Sequence, residues 1–310
     1  MKVVVTGANG FVGVPTCRQL LARGHQVVAA VRRADVLLPL DVEIHPVGDL
    51  GPDTCWRRAL DGADCVIHLA ARAHVLRDRV NDPEIIFDRL NHLASATLAR
   101  QAAEAGVSRF VLVSSIKANG EITPKTKPFQ ASDIPAPATA YGRSKVRAEA
   151  AVTAIAQQTG MSLAIIRPPL VHGPGLKGNL AVLVRALRLG LPLPLGAVDN
   201  LRSMIGVDNL ADALVFLAQS DAQGCYLIRD DEDISTPELI RALAAALGRP
   251  ARLLGVPPAL LRFVATILGR SGAYDRLAGS LLVDDAPLRA LGWRPKLGLA
   301  EGLRLTVRAG

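Results

Sequence analysis

Short apolar runs rich in β-branched residues alternate with longer amphipathic stretches through the first half of the chain. An apolar run of four to eight residues predicts a buried strand, and apolar residues spaced three and four apart predict a helix. The predicted strands are residues 3–6, 27–31, 43–47, 65–69, 110–113 and 163–166. The predicted helices are residues 12–23, 53–60, 83–105 and 141–158.

The order of these elements predicts the fold class. Strands that alternate with helices at this spacing form a parallel sheet with right-handed crossovers. Because the strands are apolar throughout rather than alternating, we expect helices on both faces of the sheet. The sequence therefore predicts an α/β fold with a doubly wound parallel sheet.

The pattern changes after Arg167, where Gly and Pro become frequent and the predicted helices are broken by turns. We expect a smaller α+β C-terminal lobe that binds the substrate. The segments 205–207, 209–219 and 226–228 are regular enough to return to the main sheet. The predicted division is a sheet domain of residues 1–168 plus about 203–229, and a lobe of about 169–202 and 230–310.

Composition narrows the choice of partners. The formal net charge is +8, but the basic residues are scattered along predicted helices, and the densest clusters are pairs such as Arg32-Arg33. This is not the footprint of a nucleic-acid-binding protein, so we expect an anionic substrate and cofactor instead. Residues 253–268 are apolar but shorter than the roughly 20 residues of a membrane span. We interpret them as a packed helix of the lobe, with contact at a membrane surface as the alternative.

The four cysteines lie far apart in the sequence, at Cys17, Cys55, Cys65 and Cys225. Their spacing fits neither a zinc site nor a disulfide framework, so no metal is expected. We interpret them as buried reduced thiols of a cytoplasmic protein. Because the first predicted strand begins at the start of this sequence, we expect no signal peptide.

The segment TGANGFVG at residues 6–13 joins the first predicted strand to the first predicted helix. Gly7 permits a tight turn, Gly10 lets the backbone approach a pyrophosphate, and Gly13 lets helix and strand pack closely. The phosphates would lie at the helix N-terminus, where free N–H groups favour anions. In this context the glycines predict a dinucleotide-binding sheet of the Rossmann type.

The end of the second predicted strand bears on which dinucleotide binds. Enzymes that use NAD(H) usually place a carboxylate there, whereas this chain has Arg32, which suits the 2′-phosphate of NADP(H). We therefore favour NADP(H) over NAD(H), although Arg32 could also be a solvated surface charge. Asp49 and Leu50 follow the third strand and could meet the adenine, or Asp49 could simply cap the next turn.

Tyr141 and Lys145 are four residues apart, which places both on one face of a predicted helix. A free phenol has a pKa near 10, and a neighbouring ammonium would favour its ionised form. Ser114 and Ser115 follow a predicted central strand, at the edge where doubly wound sheets bind ligands. Together these residues predict a hydroxyl–phenol–ammonium set for proton transfer, although each motif alone could be an ordinary turn or cap.

At this point the chain resembles the extended short-chain dehydrogenase/reductase family, in its NAD-dependent epimerase/dehydratase branch. The resemblance runs over essentially the whole chain and rests on residues 6–13, HLAAR at 68–72, SSIKANG at 114–120, YGRSK at 141–145, RSMIGVDNLADAL at 202–214 and LGWRP at 291–295. It implies Ser115, Tyr141 and Lys145 as catalytic residues, with Asn91 on a helix nearby. It also implies a homodimer paired through the helices at 83–105 and 141–158.

The resemblance further implies two sets of binding residues. For the cofactor these are Gly7, Asn9, Gly10, Phe11, Val12, Gly13, Arg32, Asp49, Leu50, Leu69, Ala70, Ala71, Tyr141, Lys145 and Pro168. For a nucleoside-diphosphate sugar, taken to be a UDP-sugar, they are Ser115, Asn179, Leu180, Arg202 and Arg276. Arginine forks suit diphosphate oxygens, although Arg276 could equally be a surface residue.

Departures from the family pattern narrow the reaction. Family members that eliminate water carry an Asp-Glu pair where this chain has Ile116 and Lys117, so dehydratase activity is not expected. The remaining reaction is oxidoreduction at C4 of the sugar, by a C4 epimerase or a 4-ketoreductase. The segment SSIKANGE most resembles proteins of surface-polysaccharide synthesis, which suggests the pathway. The alternatives are a non-catalytic NAD(P)-binding sensor and a reductase of small apolar ketones. We interpret His172 as a hydrogen-bonded structural residue, and His68 and His74 as strand-end and loop residues near the cofactor.

Overall fold

Seven parallel strands form the central sheet of this computed structural model, which is described for residues 1–39, 41–73, 82–176, 178–267 and 271–308, without the side chains of residues 271, 273 and 276. The strands are β1 (Lys2–Thr6), β2 (Gln26–Val31), β3 (Val42–Pro46), β4 (Cys65–His68), β5 (Arg109–Val113), β6 (Ser162–Arg167) and β9 (Gly224–Leu227). Their order is β3-β2-β1-β4-β5-β6-β9, which is the order of a Rossmann sheet.

Twelve α-helices are described around and beyond this sheet. They are α1 (Gly13–Ala22), α2 (Arg57–Leu60), α3 (Pro83–Phe87), α4 (Ala94–Glu104), α5 (Ala140–Thr159), α6 (Asn179–Arg188), α7 (Val207–Gln219), α8 (Thr236–Ala246), α9 (Pro258–Ile267), α10 (Ser271–Ala278), α11 (Ala286–Ala290) and α12 (Leu299–Arg308). Of the helix predicted at 53–60, only the last four residues are helical and form α2. The predicted helix at 83–105 consists of α3, a π-helical segment (Asp88–Leu93) and α4.

Alternate residues of the strands point into two separate cores. Val3 and Val5 of β1 pack in the core that includes residues of α1 and α7, whereas Val4 packs in the core on the other face, with residues of α4 and α5. A strand must be apolar on both sides to fill two cores, which is why the sequence shows continuous rather than alternating apolar runs. The predicted α/β fold with a doubly wound sheet is confirmed.

The C-terminal lobe has its own core and a small sheet. β7 (Leu170–His172) pairs in parallel with β8 (Met204–Gly206), separately from the main sheet. The expectation that residues 205–207 return to the main sheet was therefore wrong, whereas Tyr226 and Leu227 do join it beside β6. Leu180, Leu239, Leu243 and Leu303 contribute to a third core in the lobe. The proposed domain boundaries stay a prediction.

Helix α9 differs from its predicted packing. It contains no buried residue, and its position on the outside of the lobe corrects the interpretation of 253–268 as a packed helix. Within the described part of the chain, no helix is long and apolar enough to cross a bilayer, and no cluster of three or more His, Cys, Asp or Glu side chains could hold a metal ion.

The four cysteines are free thiols, but they are not all buried. Cys17 and Cys65 lie in the core, Cys225 is half-buried and Cys55 is exposed. Burial raises the pKa of Cys17 and of Cys65 to about 12, so both core thiols are protonated and unreactive at neutral pH.

Candidate active site

The glycine loop is folded so tightly that side chains would not fit at two of its positions. Gly7 has φ +65°, and a Cβ at Gly13 would lie 2.2 Å from the carbonyl oxygen of Gly7. The amide of Gly10 donates to that same oxygen at 2.9 Å. Helix α1 follows directly and has no side-chain cap at its N-terminus, so its first N–H groups are available to an anion.

The rest of the loop lies between the sheet and the lobe. Asn9 and Gly10 are exposed, and Phe11 and Val12 are half-buried. A Cβ built on Gly173 of the lobe would lie 3.6 Å from the ring of Phe11. The predicted cofactor residues of this loop therefore line an accessible turn that borders the lobe.

A chain of hydrogen bonds joins this loop to the segment after β4. The Thr6 hydroxyl accepts from the amides of Leu69 and Ala70, each at 3.1 Å, so its own proton points to His68 Nδ1 at 2.7 Å. His68 Nε2 then donates to Ser95 Oγ at 2.8 Å. Burial, together with the charge of Lys145, lowers the pKa of His68 to about 3, which keeps the ring neutral in this arrangement.

The result is that residues 69–71 lie directly beside the glycine loop. A Cβ on Gly7 would approach the amide nitrogen of Ala70 to 3.0 Å. The structure thus brings together Leu69, Ala70 and Ala71 with the loop, as expected of residues that contact one cofactor. The strand-end position of His68 is confirmed, and His74 lies outside the described residues.

The outer end of the cleft contains the residues predicted to contact the adenosine. The side chains of Arg32 and Asp49 are both exposed and form a long ion pair with 3.8 Å between Arg32 Nε and Asp49 Oδ1. Leu50 packs against the core beneath the sheet. Because an exposed pair of this length contributes little stability, Arg32 remains accessible to an anionic ligand.

The loop after β5 places Ser115 at the centre of the same sheet edge. The amide of Ile116 donates to the carbonyl of Pro168 at 3.0 Å, which ties this loop to the end of β6. Tyr141, in the first turn of α5, lies beside Ser115, close enough for the serine side chain to affect the pKa of the phenol. The structure therefore brings Ser115, Tyr141 and Pro168 to one place, although they lie far apart in the sequence.

The proton equilibria of the tyrosine and lysine differ from the expectation. Burial raises the pKa of Tyr141 to about 12, and the neighbouring Ser115 side chain opposes this shift. Burial lowers the pKa of Lys145 to about 8, and the Glu149 carboxylate opposes that shift. Lys145 Nζ donates to the carbonyl of Val113 at 2.7 Å. The phenol is therefore protonated at neutral pH in the protein alone, and its expected activation by Lys145 is not seen there.

Three buried polar residues behind Lys145 were not identified from the sequence. Arg167 Nε donates to Glu149 Oε1 at 2.9 Å, and Arg167 Nη1 donates to Asn119 Oδ1 at 2.9 Å. Glu149 lies one helical turn beyond Lys145 on the same face of α5. That spacing of four residues was the available signal, because a carboxylate there continues the Tyr141–Lys145 face.

Asn91 links α5, the helix that carries Tyr141 and Lys145, to the segment after β4. Its Nδ2 donates to Ser144 Oγ at 3.0 Å and to the carbonyl of Arg72 at 3.1 Å, while its Oδ1 accepts from the amide of Arg72 at 2.8 Å. It lies in the π-helical segment, a feature that often marks functional sites. The expected position of Asn91 near the active site agrees with these contacts.

The substrate residues predicted in the lobe differ in how far their side chains are exposed. Asn179 is exposed at the start of α6, whereas the Leu180 side chain is buried in the lobe core. Only the backbone of Leu180 is therefore placed to meet a ligand at this helix terminus. Arg276 lies on α10, and its side chain is outside the described part of the structure.

Arg202 lies where the lobe meets the loop that follows Ser115. Its Nη1 donates to the carbonyl of Gly279 at 2.9 Å, and the amide of Thr123 in that loop donates to the carbonyl of Ser280 at 2.9 Å. Burial lowers the pKa of Arg202, and the negative charge of Glu121 opposes this shift. Arg202 is thus a cation near the loop that follows Ser115, a position that is compatible with its predicted contact to a diphosphate.

The two positions that hold acidic residues in the dehydratases of this family are occupied here by Ile116 and Lys117. Ile116 is buried, and Lys117 Nζ pairs with Glu121 Oε1 at 3.1 Å. A buried aliphatic side chain and a paired ammonium cannot serve as the acid and base of an elimination.

His172 is fully buried away from these groups. Its Nε2 lies 2.7 Å from Asp230 Oδ2, and Asp230 also accepts from the amide of Gly206 and from Asn209. These contacts agree with the interpretation of His172 as a hydrogen-bonded structural residue.

The edge of the sheet fits a dinucleotide on two further observations. The glycine turn leaves a cradle that Cβ atoms would fill, and Ser114 Oγ is buried with no hydrogen-bond partner among the described residues. An unpartnered buried hydroxyl carries a free-energy penalty that a ligand can remove. Both features lie along the carboxyl ends of the strands, where Rossmann sheets bind dinucleotides.

Comparison with known proteins agrees with this geometry. The NAD dependent epimerase/dehydratase family matches residues 3–228. A UDP-glucose 4-epimerase of Vibrio cholerae is 38% identical over 99% of this chain and 95% of its own length. A ceramide reductase of Caulobacter vibrioides is 30% identical over 98% of this chain and 93% of its own length.

A solved structure shows the same fold with a cofactor. The UDP-glucose 4-epimerase of Thermus thermophilus in complex with NAD superposes with a TM-score of 0.79, at 27% identity, and covers 100% of this chain and 98% of its own. The family match covers well over half of the chain and includes the glycine loop, Ser115, Tyr141 and Lys145. The chain therefore belongs to the NAD-dependent epimerase/dehydratase family of extended short-chain dehydrogenase/reductase enzymes.

Proposed function

We propose that this enzyme interconverts UDP-sugars by oxidoreduction at C4, with the C4 epimerase reaction as the leading candidate. The observation that carries the proposal is that Ser115 and Tyr141 lie together at the sheet edge that also holds the glycine loop. The 38% identity to a UDP-glucose 4-epimerase over nearly the whole chain supports the same reaction.

The residues have separate tasks in this proposal. When bound, a nicotinamide cofactor would supply the acceptor and the donor of the hydride at C4. The hydroxyls of Ser115 and Tyr141 hold the C4 oxygen, and Tyr141 gives or takes its proton. Because the pKa of Tyr141 is about 12 in the protein alone, the phenol is protonated at neutral pH and holds the proton that a reduction at C4 would need. For Tyr141 to take a proton from the C4 hydroxyl it must first be ionised, and the positive charges of Lys145 and of an oxidised nicotinamide would stabilise that phenolate.

The cofactor is proposed to lie along the sheet edge. The glycine loop and the start of α1 would hold the pyrophosphate, with Asn9, Phe11 and Val12 at the turn. Leu69, Ala70, Ala71 and Pro168 would line the inner part of the cleft, and Arg32, Asp49 and Leu50 its adenosine end. The substrate diphosphate would meet Asn179, the backbone of Leu180, Arg202 and Arg276.

A 4-ketoreductase is the second candidate, and Arg32 is the observation that favours it. An accessible guanidinium at the end of β2 suits the 2′-phosphate of NADP(H), and a net reduction consumes its cofactor, whereas an epimerase regenerates its own. In either case we propose a role in surface-polysaccharide synthesis, a cytoplasmic location and a homodimer.

The test is an assay of the purified enzyme in two arms. In the first arm UDP-glucose or UDP-N-acetylglucosamine is supplied with NAD, and in the second a UDP-4-keto sugar is supplied with NADPH or NADH. We expect the C4 epimer to form in the first arm with no net change in nicotinamide absorbance. Steady consumption of reductant in the second arm alone would assign the reductase instead. Turnover of a long-chain ketone with none of the UDP-sugars would overturn the proposal.

A further inference from the structure

A buried network of hydrogen bonds leads away from the glycine loop. It begins at Thr6, the residue before Gly7, whose hydroxyl lies 2.7 Å from His68 Nδ1. His68 Nε2 lies 2.8 Å from Ser95 Oγ, and Ser95 Oγ donates to the carbonyl of Asn91 at 2.5 Å. All four of these hydrogen-bonded residues are at most 2% exposed, so the bonds between them lie out of reach of bulk water.

The network continues from Asn91 into α5. Asn91 Nδ2 donates to Ser144 Oγ at 3.0 Å, and Ser144 Oγ in turn donates to the carbonyl of Tyr141 at 2.8 Å. Asn91 Oδ1 accepts from the amide of Arg72 at 2.8 Å, so the same side chain also holds the segment after β4. The network is thus made of Thr6, His68, Ser95, Asn91 and Ser144, and it ends at the backbone of Tyr141.

Each proton of the first part of this network has one direction. The Thr6 hydroxyl accepts from two backbone amides, so its own proton is donated to His68 Nδ1. The neutral His68 ring then carries its proton on Nε2 and donates it to Ser95, which leaves the Ser95 proton for the carbonyl of Asn91. Because a buried polar group that loses its partner carries a free-energy cost, removing one link disturbs the groups on both sides of it.

The two ends of the network belong to different elements of the site. Thr6 ends β1, which pairs with β2 on one side and β4 on the other. Tyr141 lies in the first turn of α5, where the first backbone N–H groups of a helix have no partner within it. The place of that turn relative to the sheet therefore depends on contacts from outside the helix, and the bond between Asn91 and Ser144 is one of them.

We propose that His68 and Ser95 are positioning residues, which hold Tyr141 in a fixed place relative to the glycine loop. They act through Asn91 and Ser144 and do not take part in the proton transfer themselves. The inference rests on the proton transfer at C4 that is proposed for Tyr141. A displacement of about 1 Å in a reacting group can cost on the order of a hundredfold in rate, so the loss of this support is expected to appear in kcat.

Two variants break the network at different links. Ser95→Ala removes the central hydroxyl, and His68→Phe removes both ring nitrogens but keeps an aromatic ring beside Phe110. The matched control is Thr97→Val on the same helix, because the Thr97 hydroxyl donates to the carbonyl of Pro52 outside the network. We expect kcat to fall at least about tenfold in both network variants, with KM for the UDP-sugar within about twofold, and kcat of the control to stay within about twofold.

Two further variants separate positioning from general destabilisation. Ser95→Thr keeps a hydroxyl in the network and should retain kcat within about threefold of the unsubstituted enzyme. Because His68 and Ser95 act along one path, the double variant Ser95→Ala with His68→Phe should be no slower than the slower single variant. Losses that multiply in the double variant would contradict a common path. Urea unfolding confirms that each variant is folded under the assay conditions.

Hydrogen–deuterium exchange tests the network without turnover, in the peptide that contains the Arg72 amide. Because Asn91 Oδ1 accepts from that amide, we expect Ser95→Ala to speed its exchange at least about fivefold, and Thr97→Val to leave it unchanged. An unchanged kcat in a folded Ser95→Ala variant would overturn the proposal. If the unsubstituted protein converts no UDP-sugar, the proposed function fails instead, and unchanged exchange in Ser95→Ala would then overturn the positioning role as well.

Discussion

At the scale of single residues, two opposing effects determine the pKa of Lys145. Burial favours its neutral amine, and the carboxylate of Glu149 favours the ammonium, so that its pKa is about 8. Arg167 in turn binds Glu149 through two hydrogen bonds. The buried pair thus sets how much of Lys145 is charged at neutral pH.

Glu149→Gln is therefore expected to move the pH profile. The ammonium is lost as the pH rises through the pKa of Lys145, so activity should fall on the alkaline side. Without the carboxylate that pKa is lower, and the alkaline limb of kcat/KM should move to lower pH. The measurement is kcat/KM across the pH range, with Glu84→Gln as the control, because Glu84 pairs with the exposed Arg143 and the half-buried Arg147 of the same helix rather than with Lys145.

A second measurement separates this effect from misfolding. Removing one partner of a buried ion pair can destabilise a protein by about 3–5 kcal/mol, so the free energy of unfolding should fall as well. An unchanged alkaline limb in a folded Glu149→Gln variant would show that the carboxylate does not act on Lys145.

Arg32→Ala tests the choice of cofactor. If Arg32 binds the 2′-phosphate, its loss should weaken NADPH by about tenfold, the equivalent of one charge-assisted hydrogen bond, and leave NADH nearly unchanged. Dissociation constants for both cofactors provide the measurement, with Arg241→Ala in the lobe as the control. Equal weakening of both cofactors would contradict the phosphate contact.

The sequence was sufficient to predict that the site residues lie close together, but not how deeply they are buried or which buried residues contact them. Ser115 and Tyr141 do lie together, because the loop after β5 and the start of α5 meet at the sheet edge. The sequence did not reveal that burial keeps the phenol protonated. Nor did it pair Glu149 with Arg167, since that contact depends on how α5 lies against β6.

At the scale of elements, the glycine loop depends on the absence of a side chain at Gly13. Gly13→Ala would force a Cβ to 2.2 Å from one backbone oxygen and 2.5 Å from another, and backbone cannot move aside as a flexible side chain can. We expect a loss of about 1–3 kcal/mol in the free energy of unfolding, as for other overpacked sites, and weaker cofactor binding. Urea unfolding and cofactor titration measure these two quantities.

The matched control is Gly298→Ala, where no atom lies within 4 Å of an added Cβ. Both substitutions add one methyl group, so only the local geometry differs. Equal stability of the two variants would mean that the loop relaxes easily, contrary to its role as a fixed cradle.

The limits of sequence-based prediction are visible in three elements. The strands of the main sheet were located within a few residues, because buried strands need apolar side chains on both faces. The π-helical segment around Asn91 was missed, since one extra residue in a helical turn leaves the apolar pattern nearly unchanged. The pairing of β8 with β7 was also missed, because a short apolar run does not specify its partner.

At the scale of the whole molecule, exposed apolar residues lie on the helices that would pair in the proposed homodimer. Ile85 of α3 is 64% exposed and Leu93, in the π-helical segment, is 40% exposed, and both lie on the helices expected to pair. Ile85→Glu should raise the dimer dissociation constant at least about tenfold, because it buries a charge in an apolar contact. Sedimentation velocity measures this, with Ile134→Glu as the control outside those helices. A monomeric unsubstituted protein, or an equal effect of both variants, would contradict the proposed interface.

The distribution of function over the molecule follows from its two parts. The sheet supplies an edge with the glycine loop, Ser115 and Tyr141, and the lobe places Arg202 near the loop that follows Ser115. The outer side of the lobe carries the apolar helix α9, which the sequence alone placed inside. An apolar amphipathic stripe shows that a helix has a partner, but not whether that partner lies within the chain.

The proton transfer assigned to Tyr141 is tested most directly by Tyr141→Phe, which removes one oxygen and keeps the ring that packs against Phe87 at 5.8 Å between centroids. The measurement is kcat for the C4 conversion of the UDP-sugar that proves to be the best substrate, together with the dissociation constant of the cofactor. We predict a fall in kcat of at least about a hundredfold, the low end for general acid–base catalysis, with cofactor affinity unchanged. A variant that turns over within about threefold of the unsubstituted enzyme would contradict the assignment, since hydride transfer at C4 requires a partner for the proton on oxygen.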